Sequence, residues 1–140
     1  MSDIIYKLAE ASDLDAMIAV GDDVFDEAIK PDRALEFIQD QRHHLFLAYL
    51  DSKIIGMASA IHYVHPDKDP ALFIMEAGVV EEHQNRGIGR TLIRKMVEHG
   101  RKLNCQDIWV ATEQTNIAAR KTYKAAGAKE DDELAVVLTF

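Results

Sequence analysis

The sequence predicts a single α/β domain (α+β in arrangement) in which a mixed, mostly antiparallel sheet carries helices on both faces. Three observations predict it. Two runs rich in β-branched and aromatic residues, 45–50 and 54–64, flank a short Asp51-Ser52-Lys53 turn, which is a hairpin signal. Two amphipathic helical patterns, 87–103 and 117–126, alternate with apolar strand-like runs and so join later strands by crossovers instead of hairpins. Finally, 140 residues are enough to bury about two-thirds of the unfolded surface in one core, so residues 1–140 read as one domain.

Residues 4–8 are the first predicted strand. Ser12 and the acids Asp13 and Asp15 mark a helix start, and Leu14, Met17, Ile18, Val24 and Phe25 keep helical spacing through a weak centre at Gly21. Pro31 opens a second helix with Leu35 and Ile38 inward. After the hairpin, residues 65–70 form a loop with a proline on each side of its acids and lysine. Residues 72–80 are the next strand. The longest helix, 87–103, presents Ile88, Leu92, Met96, Val97, Gly100 and Leu103 on one face. A strand over 108–112, a helix over 117–126 stopped by Gly127, and a last strand over 134–140 complete the order β-α-α-β-β-β-α-β-α-β.

Composition narrows the function. The net charge is −8, which disfavours nucleic acid and anionic lipid as partners and suits a small cationic substrate. No apolar stretch approaches the length of a membrane span, and no charged-apolar-small leader opens the chain, so a cytoplasmic location is expected. Cys105 is the only cysteine, which rules out an internal disulfide and a CxxC site, and no metal site is expected. A homodimer is left open.

The most informative segment is 77–93, where an apolar strand passes through a short polar loop into a helix opened by Gly87 and Gly89. Glycines there let the backbone take positive φ and let a bulky ligand approach, while the helix start contributes unpaired N–H groups and the positive end of its dipole. The spacing excludes two other phosphate loops. No Gly-Lys-Ser/Thr is present, and Leu92 stands where a dinucleotide fingerprint needs its third glycine.

Gln84, Gly87 and Gly89 form a QxxGxG pattern, and Asn116-Ile-Ala-Ala-Arg-Lys-Thr-Tyr-Lys-Ala-Ala-Gly127 is similar to an NxxAxxxYxxxGF segment with Ala128 in place of the aromatic. Together they resemble the GCN5-related N-acetyltransferase (GNAT) family. Within it, Tyr63-Val-His-Pro66, the strand bearing Glu76 and the 80–89 stretch look most like aminoglycoside 3-N-acetyltransferases. The resemblance implies a sheet splayed between two central strands, here those over 72–80 and 108–112, with acetyl-CoA as acetyl donor. Its cofactor-binding residues would be Gly78, Val79, Val80, Gln84, Asn85, Arg86, Gly87, Ile88, Gly89, Arg90, Asn116 and Tyr123. A bulge is the device for such splaying, and Gly78 marks either that bulge or a place where a helix packs closely over the sheet.

Acetyl transfer needs a deprotonated amine and a protonated leaving thiolate. Glu76 sits in an otherwise apolar strand, where alternation places it with Ile74 and Gly78 and burial would raise its pKa toward that of a working base. Tyr123 matches the family's acid tyrosine. The loop acids Asp67 and Asp69 are expected, with Glu76, to bind a cationic acceptor such as an aminoglycoside, amino sugar or polyamine. The alternatives are an acetyltransferase of protein N-termini or lysines, and a non-catalytic acyl-CoA sensor.

Overall fold

The computed structural model describes residues 3–140. Its five strands stand in sequence order in one sheet: β1 (Ile5–Leu8), β2 (His43–Leu50), β3 (Lys53–Tyr63), β4 (Ala71–Val79) and β5 (Asp107–Val110). β1 to β4 pair antiparallel, and β4 pairs parallel with β5 because the chain between them crosses over through helix α3 (Ile88–Lys102). Helices α1 (Leu14–Val20), α2 (Pro31–Gln39) and α4 (Ile117–Ala125) complete it. The β2–β3 turn takes positive φ at both Asp51 and Ser52, the hairpin geometry that follows strand twist.

α3 lies on one face of the sheet and buries Ile88, Leu92, Ile93, Met96 and Gly100. The glycine is needed there, since a Cβ at Gly100 would fall 2.8 Å from Leu72 Cδ2. The opposite face, with Leu45, Leu47, Met57 and Ser59, meets α1, α2 and the segment 21–30. α1 stops at Gly21, whose φ of 42° breaks the expected run to Phe25; residues 21–23 form a 3₁₀ turn and the chain then crosses the sheet as a loop.

The β-bulge lies earlier than expected. Ala60 pairs with Ile74 but Ser59 pairs with Glu76, so Met75 is the extra residue on β4. Gly78, the expected position, pairs regularly with Met57. The bulge also changes the facing: Ile74 points to the α3 side with Ala60, whereas Glu76 shares the other side with Ser59, Met57 and Gly78. The expected grouping of Glu76 with Ile74 is thereby corrected.

The strands do splay. β4 pairs with β5 only from Ala71 to Ile74, and residues 75–79 have no strand partner on that side among the described residues. β5 is an edge strand and not a central one, because residues 134–140 form no strand in this structure.

Three imidazoles link the sheet to α3. His44 Nε2 lies 2.7 Å from His62 Nδ1, and His44 Nδ1 lies 3.0 Å from His99 Nε2. Burial, then the neighbouring His99 and His62, push His44 down to about 4. A histidine depressed in this way stabilises the fold fully above its unfolded pKa near 6.5, and that stability is lost as pH falls toward 4. The urea midpoint is therefore expected to fall between pH 7 and pH 5, and His44→Leu to flatten the decline. An equally steep decline in that variant would assign it to other groups.

Candidate active site

β4 ends where Val80 N–H donates to the Ile55 carbonyl (2.9 Å), and a 3₁₀ turn, Glu81–His83, follows. Gln84 Nε2 donates to the Val79 carbonyl (3.0 Å) and ties the loop to the strand end. Asn85 (φ 63°) and Gly87 (φ 80°) are left-handed, and Gly87 caps α3. Thr91 donates from both N and Oγ1 to the Gly87 carbonyl. The N–H groups of Ile88, Gly89 and Arg90 have no acceptor within the helix, and they stand at its positive end beside Arg86 and Arg90.

Gly89 is helical and not of positive φ; a Cβ there would make an ordinary 3.4 Å contact with Thr122 Cγ2 of α4. The fold itself therefore tolerates a side chain at Gly89. A Cβ there would point between Thr122 of α4 and Val79 at the end of β4. Such a cradle fits a pyrophosphate: N–H donors at a helix N-terminus with two guanidinium groups close in sequence.

α4 packs against α3 next to this cradle. Arg94 Nη2 donates to the Ala125 carbonyl (3.0 Å), and Asn116 Oδ1 caps α4 by accepting from Ala119 N–H (3.1 Å), which leaves its carboxamide NH₂ as a donor. Tyr123 is half-buried against the core, and burial pushes its phenol pKa up, so the proton is retained at neutral pH.

On the other side of β4, Glu76 is half-buried and its Oε1 accepts from Asp26 N–H (2.8 Å). Burial raises its pKa most; the Asp26 N–H bond opposes this, and the nearby Asp26 carboxylate adds to the rise. Glu76 and Ser59 line a cavity of about 370 Å³. Its walls are Met17, Phe25, Ile29, Phe37 and Leu45, and its charged members besides Glu76 are Asp26, Glu27, Lys30 and Arg33.

Gly78 closes this arrangement. A Cβ on it would lie 2.1 Å from the Val24 carbonyl oxygen, so only glycine lets the segment 21–30 lie flat on β4 and present Asp26 N–H to Glu76.

The structure thus gathers Gln84 to Arg90 with α4, and puts Glu76 in a separate cavity across β4, whose unpaired edge lies between them. Asp67 and Asp69 are not brought in. They lie on the loop before β4, five strand residues from Glu76 counted from Ala71, or roughly 17 Å at strand rise. Neither lines the cavity. Reading the sequence missed Ser59, Asp26, Lys30 and Arg33. Register with a bulge brings in the first, and an irregular loop and helix start bring in the others, so no periodicity marked them.

The sequence matches the acetyltransferase (GNAT) family over residues 8–128. No curated protein matches the chain. Among solved structures, an aminoglycoside acetyltransferase from an uncultured soil metagenomic sample, in complex with trehalose, is 17% identical, with 98% of this chain and 96% of that chain covered at a TM-score of 0.84. The aminoglycoside N-acetyltransferase AAC(6')-Iy in complex with CoA is 21% identical over 99% and 96%, with a TM-score of 0.81. A ribosomal-protein-alanine N-acetyltransferase from Brucella melitensis biovar Abortus 2308 is 17% identical over 99% of each chain, with a TM-score of 0.76. At these identities the structures establish a shared fold, and the family match establishes membership: the chain belongs to the acetyltransferase (GNAT) family, and is an N-acetyltransferase.

Proposed function

We propose that the chain transfers an acetyl group from acetyl-CoA directly to a primary amine seated in the cavity beside Glu76, the acceptor being an aminoglycoside, amino sugar or polyamine. One observation carries this: the bulge at Met75 turns the only carboxylate of β4 into that cavity, half-buried and held by a backbone N–H. Acetyl-CoA supplies an activated thioester when bound. Residues Ile88 to Arg90 and Arg86 would hold its pyrophosphate, the unpaired edge of β4 from Met75 to Val79 would hold its amide-bearing arm, and Asn116 would donate to that arm.

Glu76 accepts a proton from the ammonium of the acceptor, directly or through one water, and its raised pKa brings it closer to that task. Tyr123 donates a proton to the departing sulfur. The Asp26, Glu27 and Glu76 carboxylates favour an ammonium group in the cavity over a neutral one. Cys105 is fully buried and its thiol pKa is pushed up by burial, which supports transfer without an acyl-cysteine.

A second reading, a protein N-terminus as acceptor, is favoured by the apolar walls and by Lys30 and Arg33, which suit an amine attached to an apolar and partly acidic body.

Saturating acetyl-CoA tests the donor site. At a hundredfold excess over Kd it is expected to stabilise the fold by about 2.7 kcal/mol and raise Tm by several degrees. Desulfo-CoA should do the same, since the pyrophosphate cradle does not read the sulfur. No shift with either compound at millimolar concentration would contradict the assignment.

A further inference from the structure

Beyond Glu76, the open half of its sheet face is aromatic. Ser59 pairs with Glu76 and Ile61 with Phe73, so with Met75 as the extra residue Phe73 is the next position on that face. Phe73 pairs in turn with Trp109 of β5, and Asp107 is the next position of β5 on the same face. The indole is fixed by two neighbours: its ring centroid lies 4.4 Å from that of Phe73, and its Nε1 donates to the Tyr63 hydroxyl (2.7 Å). Helices α1 and α2 and the segment 21–30 cover the other half of the face, over β2 and β3, and leave Trp109 44% exposed. Trp109 is the only tryptophan of the chain.

Charge follows a definite order along this face. On the α2 side of Glu76 the cavity is lined by the cations Lys30 and Arg33. On the other side come the uncharged rings of Phe73 and Trp109, and then Asp107, which is exposed. Strand rise and strand spacing put the Cα of Asp107 roughly 14 Å from that of Glu76. A second ammonium on the acceptor is therefore repelled on the first side and attracted on the second.

We propose that the acceptor is a linear aliphatic diamine or polyamine: one primary amine sits at Glu76, the chain lies across Phe73 and Trp109, and Asp107 holds the far ammonium. This rests on amine transfer at Glu76 and selects among the acceptors of that reading. Methylenes bury against the aromatic rings with no polar group left to satisfy, and an internal ammonium gains from the indole. A sugar ring fares worse there, since its hydroxyls meet Phe73 and an indole whose single donor is already given to Tyr63. An extended 1,8-diamine has nearly the length of the Glu76–Asp107 spacing once its hydrogen bonds to both carboxylates are added.

The test compares 1,8-diaminooctane with octylamine, which lacks the far ammonium, and with neamine, an amino sugar, in the wild type, Asp107→Asn and Trp109→Leu. Thiol release from acetyl-CoA is expected to show the lowest KM for the diamine. Asp107→Asn should raise that KM about two- to fivefold and leave kcat, and the KM for octylamine, unchanged. Trp109→Leu should raise KM severalfold for both linear amines with kcat retained. Binding is read without turnover from the fluorescence of Trp109, titrated with the diamine in the presence of CoA. A saturable change is expected, with its midpoint at higher concentration in Asp107→Asn. If no amine releases thiol, the transfer reading fails by itself and this titration alone decides whether the diamine is held. A flat titration, a diamine KM unaltered in Asp107→Asn, or a lower KM for neamine than for the diamine would overturn the proposal.

Discussion

Glu76→Gln is expected to lower kcat/KM for the amine acceptor by about 10²–10⁴-fold at neutral pH, the usual contribution of a positioned base. Glutamine keeps the shape and can still accept from Asp26 N–H, so the loss is one of proton transfer and not of folding. In the wild type, activity should fall as pH drops through the carboxyl pKa, which burial places above the ordinary glutamate value. In the variant that limb should vanish, and the residual rate should climb at high pH as free amine becomes plentiful. Tyr123→Phe should act differently, slowing thiolate departure with little change in acetyl-CoA affinity. A Glu76→Gln rate close to that of the wild type across neutral pH would remove the carboxylate from the chemistry.

Gly78→Ala is expected to cost both stability and turnover. The new Cβ would meet the Val24 carbonyl at 2.1 Å, and that neighbour is backbone, so the segment 21–30 must lift. Overpacking of this kind costs about 1–3 kcal/mol, or a drop of several degrees in Tm. The lifted segment also withdraws Asp26 N–H from Glu76 and opens the wall formed by Phe25. Gly89→Ala is the matched control. Its Cβ makes an ordinary contact with Thr122, so melting should be unchanged while acetyl-CoA binding weakens. A Gly78→Ala protein that melts with the wild type would contradict the close packing on β4.

The element order through α4 was legible because its signals are local. The Asp51-Ser52 turn, the 3.6-residue apolar spacing from Ile88 to Gly100, and Asn116 as a cap each act within a few residues. The loop before α3 was legible for the same reason, since Gly87 stands where the chain turns left-handed into the helix. What escaped depends on distant pairing. The bulge at Met75 arises from how β3 and β4 register, and nothing in the residues 74–76 announces it. Its consequence, Glu76 on the face away from Ile74, could not be had from alternation. Gly78 was read as a bulge residue or as a point of close packing over the sheet; the second holds, but what packs on it is the Val24 carbonyl of a loop fifty-four positions earlier in the chain and not a helix. The acids Asp67 and Asp69 suggested an acceptor site by their charge and by their loop, expected to border the cleft, while the cavity beside Glu76 is lined in large part from the irregular segment 21–30, whose place the sequence did not reveal. Residues 134–140 read as a strand from composition, but a strand needs a partner, and the chain does not pair them with itself.

Direct passage of the acetyl group to an amine in the cavity beside Glu76 is measured by following free thiol released from acetyl-CoA by the wild-type protein with amino sugars, polyamines and short peptides, each with the Glu76→Gln protein in parallel. Thiol release above the amine-free rate is expected with at least one primary amine, with one acetylated amine per thiol, and with that release lost in Glu76→Gln. Protein that binds acetyl-CoA yet releases no thiol with any amine, or releases it equally in the Glu76→Gln variant, would contradict it.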